Sequence, residues 1–168
     1  MKKIFLTVLF FALIIPLNAQ NKKELKKQKA EKEYAATKEL INSKNFVFEA
    51  DWATTQGGKR INLTTNPNFL KVKGDQVIAD MPYFGVAQSA IGYGGGDTGI
   101  IFEETPKKYN VEFNDKKTKA VIKFDANNKS ESFNVILHVY KNGNASLSIS
   151  SSKRNSISYD GKIIAIKD

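Results

Sequence analysis

The chain has 168 residues with no cysteine and one histidine, which excludes disulfides, thiolate metal sites and multi-histidine metal centres as a source of stability or chemistry. Its formal charge of +9 is unevenly spread: Lys2 and Lys3 carry two of the charges, residues 21–44 hold eight lysines against four glutamates, and the remaining 124 residues carry 16 basic and 13 acidic side chains. A nucleic-acid binder concentrates positive charge on its folded domain with aromatics interleaved, so nucleic acid is not an expected partner.

Residues 1–19 read as a signal peptide: Lys2 and Lys3 form a positive start, 4–17 is an apolar run, and Leu17-Asn18-Ala19 offers a small residue for cleavage after Ala19. The apolar run includes Pro16 and falls short of the roughly 20 residues a spanning helix needs, so no membrane span is expected. No cysteine follows it, which rules out a thioether-linked lipid. The expected location is periplasmic or secreted, and the remaining chain of about 150 residues is the size of one domain able to bury its own core.

Residues 20–29 read as a charged, solvated arm. From Ala30 the apolar positions fall into a stripe, Ala30, Tyr34, Thr37 and Ile41 with Leu40 beside it, which predicts a helix over 30–43 docked on the body. The period changes to two at Asn45. Phe46, Phe48, Ala50 and Trp52 then share one face of a strand, which makes Trp52 an expected core residue. Short strands follow at 61–64, 70–73 and 76–81, separated by Asn66-Pro67-Asn68 and Gly74-Asp75 turn signals.

The stretch 81–102, MPYFGVAQSAIGYGGGDTGIIF, breaks the alternation and holds six glycines. Beyond it, strands are expected at 100–103, 108–113, 119–125, 131–140, 145–151, 156–159 and 162–166. Asn142-Gly143 and Asp160-Gly161 read as two-residue hairpin turns of type I′. Nine or ten short strands with no helical segment between them exclude a parallel βαβ sheet. The expected fold is mainly β: an antiparallel, lipocalin-like β-barrel occupying 30–168, with one N-terminal helix. A sandwich is the alternative way to bury the same faces.

The chemistry is sparse. Gly94, Gly96 and Gly99 match the G-x-G-x-x-G spacing of dinucleotide sites, but a strand follows where that motif needs a helix N-terminus, and no P-loop ending is present. No G-x-S-x-G occurs for a serine nucleophile, and His138 lies on the polar side of its strand. Glu49 with Asp51, and Glu103 with Glu104, read as solvated charges rather than an acid–base pair. No catalytic residues, metal or cofactor are expected.

Candidate ligand contacts cluster around the glycine stretch. Pro82 ends a strand, Tyr83 and Phe84 place two rings before Gly85, and Tyr93 precedes Gly94, Gly95 and Gly96, so aromatic walls stand beside backbone that can turn or move. These residues either plug the barrel or gate its mouth. Arg154, in a polar run just before Ile157, has a guanidinium suited to a carboxylate or phosphate, or to an internal pairing with Asp80, Asp97 or Asp160, and Tyr159 is the last candidate contact.

Met81-Pro82-Tyr83-Phe84-Gly85, the glycine run to Phe102, Asn142-Gly143-Asn144-Ala145, and Arg154 followed by Ile157-Ser158-Tyr159-Asp160-Gly161 together resemble a family of exported Bacteroidota proteins, the domain of unknown function 4251 family. The resemblance covers nearly all of the chain after the signal peptide. Val86 follows the motif where the family would place a basic residue. The resemblance implies a β-rich, lipocalin-like barrel and an exported location, and no activity. The expected function is a non-enzymatic binding module for a small molecule, lipid or peptide, its barrel mouth gated by 82–99. The alternative is a structural or assembly protein of the envelope that docks a protein partner through a sheet edge or the glycine-rich loop.

Overall fold

The computed structural model describes residues 15–65, 68–85, 99–128 and 131–166, with side chains from residue 22 onward. A helix α1 (Ile15–Asn42) leads into ten strands: β1 (Asn45–Thr55), β2 (Arg60–Asn62), β3 (Phe69–Lys73), β4 (Gln76–Met81), β5 (Ile100–Glu104), β6 (Lys107–Asn114), β7 (Lys119–Asn128), β8 (Glu131–Tyr140), β9 (Asn144–Ser151) and β10 (Ile157–Ala165). They form one antiparallel sheet in the order β5-β4-β3-β1-β10-β9-β8-β7-β6, with β2 paired to β1. The fold is thus mainly β with one N-terminal helix, as the strand periodicity predicts. Residues 1–14, most of the expected signal peptide, lie outside the described residues, while the expected cleavage point after Ala19 falls within α1.

The sheet is curled into a half-barrel. Its two ends, β5 and β6, are joined by only Thr105 and Pro106, a connection whose reach of about 10 Å brings the ends of the path together. Between them no ladder forms among the described residues. Contacts tie β5 to β7 instead: the Asn127 amide donates to Glu104 Oε1, and Asn128 Nδ2 donates to the Ile101 carbonyl at 2.6 Å. Phe102 of β5 packs on Phe133 at 5.5 Å and edge-on to Phe124 at 6.5 Å. At this seam Tyr109 stacks on Phe124 at 6.0 Å. Its hydroxyl is buried with no hydrogen-bond partner among the described residues, and burial pushes its pKa up to about 12.

The concave face is filled by alternating residues such as Phe46, Phe48, Leu70, Phe124, Phe133 and Leu147, each at most 2% exposed. The helix closes one end. Tyr34 donates to the Lys119 carbonyl at 3.1 Å, Thr37 donates to the Lys141 carbonyl at 2.9 Å, and Ile41 enters the core. Lys38 adds an ion pair to Asp115 at 2.9 Å. Tyr34, Thr37 and Ile41 are stripe positions that the sequence marks for docking. The helix also runs back through the segment expected as an arm: residues 22–29 are exposed yet helical, because Lys, Glu, Gln and Leu without Gly or Pro favour helix even without packing.

Three local expectations need correction. Trp52 is not in the core. A register shift between Ala50 and Trp52 inserts one residue into β1, so the inward phase passes from Phe46, Phe48 and Ala50 to Ala53, and the indole is left 36% exposed against the Arg60 guanidinium. Asp160-Gly161 is not a turn: both lie inside the continuous strand β10, and Gly161 faces the bulge, where a Cβ would collide with the Glu49 carbonyl and stand 2.7 Å from Ala50 Cα. Asn142-Gly143 does turn the chain, but as a three-residue loop. The Gly143 amide bonds to the Tyr140 carbonyl at 3.0 Å, and Gly143 alone takes positive φ, +80°, which is a type I turn followed by a left-handed residue rather than type I′.

Candidate functional site

At the end of the sheet away from the helix contacts, the turn between β9 and β10 meets both flanks of the glycine-rich stretch. β9 ends at Ser151 and β10 begins at Ile157, so the intervening polar residues must cross the end of the sheet. Arg154 is drawn in rather than solvated, with 8% of its surface exposed. Its partner is Glu131, itself 8% exposed: Arg154 Nε lies 2.9 and 3.2 Å from the two carboxylate oxygens, and Nη2 lies 3.0 Å from Oε2. The Ser151 hydroxyl donates to the same carboxylate. Burying two charges is costly unless the geometry is near ideal and the remaining donors and acceptors are used, and this forked arrangement meets that condition.

Arg154 does more than pair. Its Nη1 donates to the Gly99 carbonyl at 2.9 Å, and its guanidinium lies 5.2 Å from the centre of the Tyr83 ring. Tyr83 in turn donates to the Asn155 carbonyl at 3.0 Å, and Tyr159 donates to the Pro82 carbonyl at 2.8 Å. Both phenols have raised pKa values. For Tyr83 burial is the main cause, opposed by Arg154; for Tyr159 burial leads, Tyr83 adds to it and Arg154 again opposes. Both therefore remain protonated near neutral pH and serve as donors. Gly85 is glycine for a steric reason, since a Cβ there would strike the phenol end of Tyr83.

Of the expected site residues, Pro82, Tyr83, Arg154 and Tyr159 converge on one cluster with Gly85 beside it. Phe84 points outward and is 40% exposed. Tyr93, Gly94, Gly95 and Gly96 lie outside the described residues, as does Asp97. Arg154 pairs with neither Asp80 nor Asp160 among its described contacts; Asp160 faces Arg60 at 3.6 Å. The partner the sequence reading missed, Glu131, carried a signal: it precedes Phe133, Val135, Leu137 and Val139 at the same period, so it occupies an inward position where a charge must find a partner. His138 is half-buried on the opposite face of the same strand.

Nor is the concave face an open cup. Tyr159, Phe46, Phe124 and Phe133 fill it, so a ligand chamber lined by Tyr83 within the curl finds no support among the described residues. Grooves open on the outer surface instead. One, of about 480 Å³, runs past Lys108, Asp125, Asn134 and Ser150. No group of three or more histidine or acidic side chains comes close enough to hold a metal ion, and no helix is long and apolar enough to cross a membrane, both among the described residues.

Comparison with known proteins agrees with this architecture. A crystal structure of a DUF4251 family protein from Bacteroides eggerthii superimposes with a TM-score of 0.60 at 16% sequence identity, covering 81% of this chain and 87% of that one. At that identity the likeness concerns the fold. None of the curated proteins compared matches the chain. The family model described as "Domain of unknown function (DUF4251)" matches residues 28–163, from the docked half of the helix to within β10, and the chain belongs to that family.

Proposed function

We propose that the protein is a non-enzymatic binding module of the cell envelope, exported by its 1–19 leader, which engages a small molecule, lipid or peptide through the stretch 82–99, whose described flanks meet at the rim of the sheet. One observation carries this reading: a single turn, between β9 and β10, holds both flanks of the stretch. Its Asn155 takes Tyr83 at the start, beside Tyr159 of β10 on Pro82, and its Arg154 takes the Gly99 carbonyl at the end. Glycine-rich backbone carries a large ordering entropy, and a buried ion pair spent on fixing its two ends favours presentation of the stretch over mere connection. Phe84, exposed beside the anchored Tyr83, supplies an apolar contact of the kind binding sites use. Arg154 and Glu131 direct their charges at each other and at the backbone, which suits a scaffold role better than proton transfer.

A second reading, docking of a protein partner on a sheet edge, is favoured by β5 and β6, which end the sheet without pairing to each other among the described residues. The test is native mass spectrometry of the protein purified from its own envelope, beside the Phe84→Ser variant. Binding at 82–99 predicts a bound mass on the wild type that is lost or much reduced in the variant. A bound mass unaffected by Phe84→Ser, or none on either, contradicts the proposal, and self-association that persists in the variant supports the edge instead.

A further inference from the structure

The bulge in β1 turns the chain's one tryptophan outward, and the register shows what it joins. Trp52 lies opposite Asp160 on β10, Asp160 opposite Ser146 on β9, and Ser146 opposite His138 on β8. Directly opposed residues project to the same face of a sheet, so these four make one row on the outer surface, about 14 Å long at ~4.8 Å between strands. A groove of about 410 Å³ runs along three of the four, Trp52, Asp160 and Ser146, and is lined as well by Asp51, Tyr140 and Asn144. Trp52 and Tyr140 are 36% and 48% exposed, which is unusual for large aromatic side chains unless they face a partner. Gly161, also on the lining, adds no side chain to obstruct the space.

The groove's chemistry narrows the ligand. Two aromatic rings call for a ligand with flat apolar faces. Two carboxylates, an amide and a hydroxyl call for several hydroxyl or amine donors on its edges. The Arg60 guanidinium already lies 4.7 Å from the Trp52 ring and 3.6 Å from Asp160, so that carboxylate is neutralised. Asp51 is exposed and has no ion pair among the described residues. The remaining negative charge repels anionic ligands and attracts amines. Lining residues that cross three neighbouring strands, from Trp52 through Asp160 to Ser146, suit a chain of sugar units better than a compact molecule. We propose that this outer row is a glycan-binding site for chains of neutral or amino-bearing hexoses. None of its lining residues belongs to the 82–99 stretch, and it stands or falls independently of the function proposed for that stretch.

Trp52 supplies the readout, because the whole tryptophan emission comes from the groove. Titration with a glucosamine tetramer and an N-acetylglucosamine tetramer should give saturable changes at millimolar concentration or below, with the glucosamine chain binding a few-fold tighter. An oligo-uronate of the same length should give none. Tyr140→Ala should weaken both hexosamine chains roughly tenfold, and Asp51→Asn should remove the advantage of the glucosamine chain. Both side chains are exposed, so both variants should melt at the wild-type temperature. Ser146→Gln, which extends a side chain into the middle of the row, provides a second block if Tyr140→Ala perturbs the fold. The proposal is overturned by unsaturable titrations with both hexosamine tetramers, by equal binding of the oligo-uronate, or by binding indifferent to Tyr140→Ala and Ser146→Gln.

Discussion

Replacing Arg154 with methionine removes one charge of a buried pair and keeps most of the side-chain volume. Three nitrogen–oxygen contacts to Glu131 of 2.9 to 3.2 Å vanish together, as does the 2.9 Å bond to Gly99. Glu131, with its side chain only 8% exposed, is left with the Ser151 hydroxyl and little water. Breaking a buried pair on one side typically costs about 3 to 5 kcal/mol. With a urea m-value of about 2 kcal/mol per molar, the unfolding midpoint should fall by roughly 2 M. The double variant Arg154→Met/Glu131→Leu removes both charges and should recover to within about 1 kcal/mol of wild type, since apolar replacement of a whole buried pair is often near neutral. Urea melts of the four proteins of this cycle give the coupling directly. A loss below about 1 kcal/mol for Arg154→Met, or a double variant as unstable as the two single losses added together, refutes the account of the pair as a buried unit.

The other expectations concern the corrected and unsatisfied positions. Trp52→Ala should cost less than about 1 kcal/mol, the worth of an exposed ring with a cation over it, and a loss of about 3 to 5 kcal/mol in a denaturant melt would place the indole in the core after all. Gly161→Ala drives a methyl group into the β1 backbone and should cost about 1 to 3 kcal/mol or more; a neutral melt would mean the two strands do not approach so closely at the bulge. Tyr109→Phe removes a buried hydroxyl without a partner among the described residues. It should leave thermal stability unchanged or raise it by about 1 kcal/mol, whereas a clear loss would mean that the hydroxyl is hydrogen-bonded.

Most of the strands were legible because a half-buried sheet writes its period into the side chains: Phe133, Val135, Leu137 and Val139 alternate with polar neighbours and are buried in that order. The helix stripe was legible for the same reason. What escaped depends on long-range pairing. Nothing local distinguishes the bulge at Ala50/Trp52 from a regular strand, so Trp52 inherits the wrong face. Asp160-Gly161 has the composition of a turn, and only the close approach of β1 explains why glycine sits inside a strand there. The candidate site was half legible. Tyr83, Arg154 and Tyr159 do meet, yet Glu131 is 23 residues from Arg154 in the chain, and its inward phase becomes informative only once β8 and β9 are placed side by side. Nothing in the alternation tells a packed interior from a hollow one, and among the described residues Phe102, Phe124 and Phe133 of β5, β7 and β8 pack together inside the curl.

The central claim is that one turn fastens both flanks of the 82–99 stretch. Hydrogen exchange by mass spectrometry, comparing wild type with Arg154→Met under conditions where both are folded, tests it most directly. The account predicts a larger rise in exchange at both flanks, around Tyr83 and around Gly99, than at the helix-facing turns at Lys119 and Lys141. Loss of protection at one flank alone, or no local change at either, would contradict it.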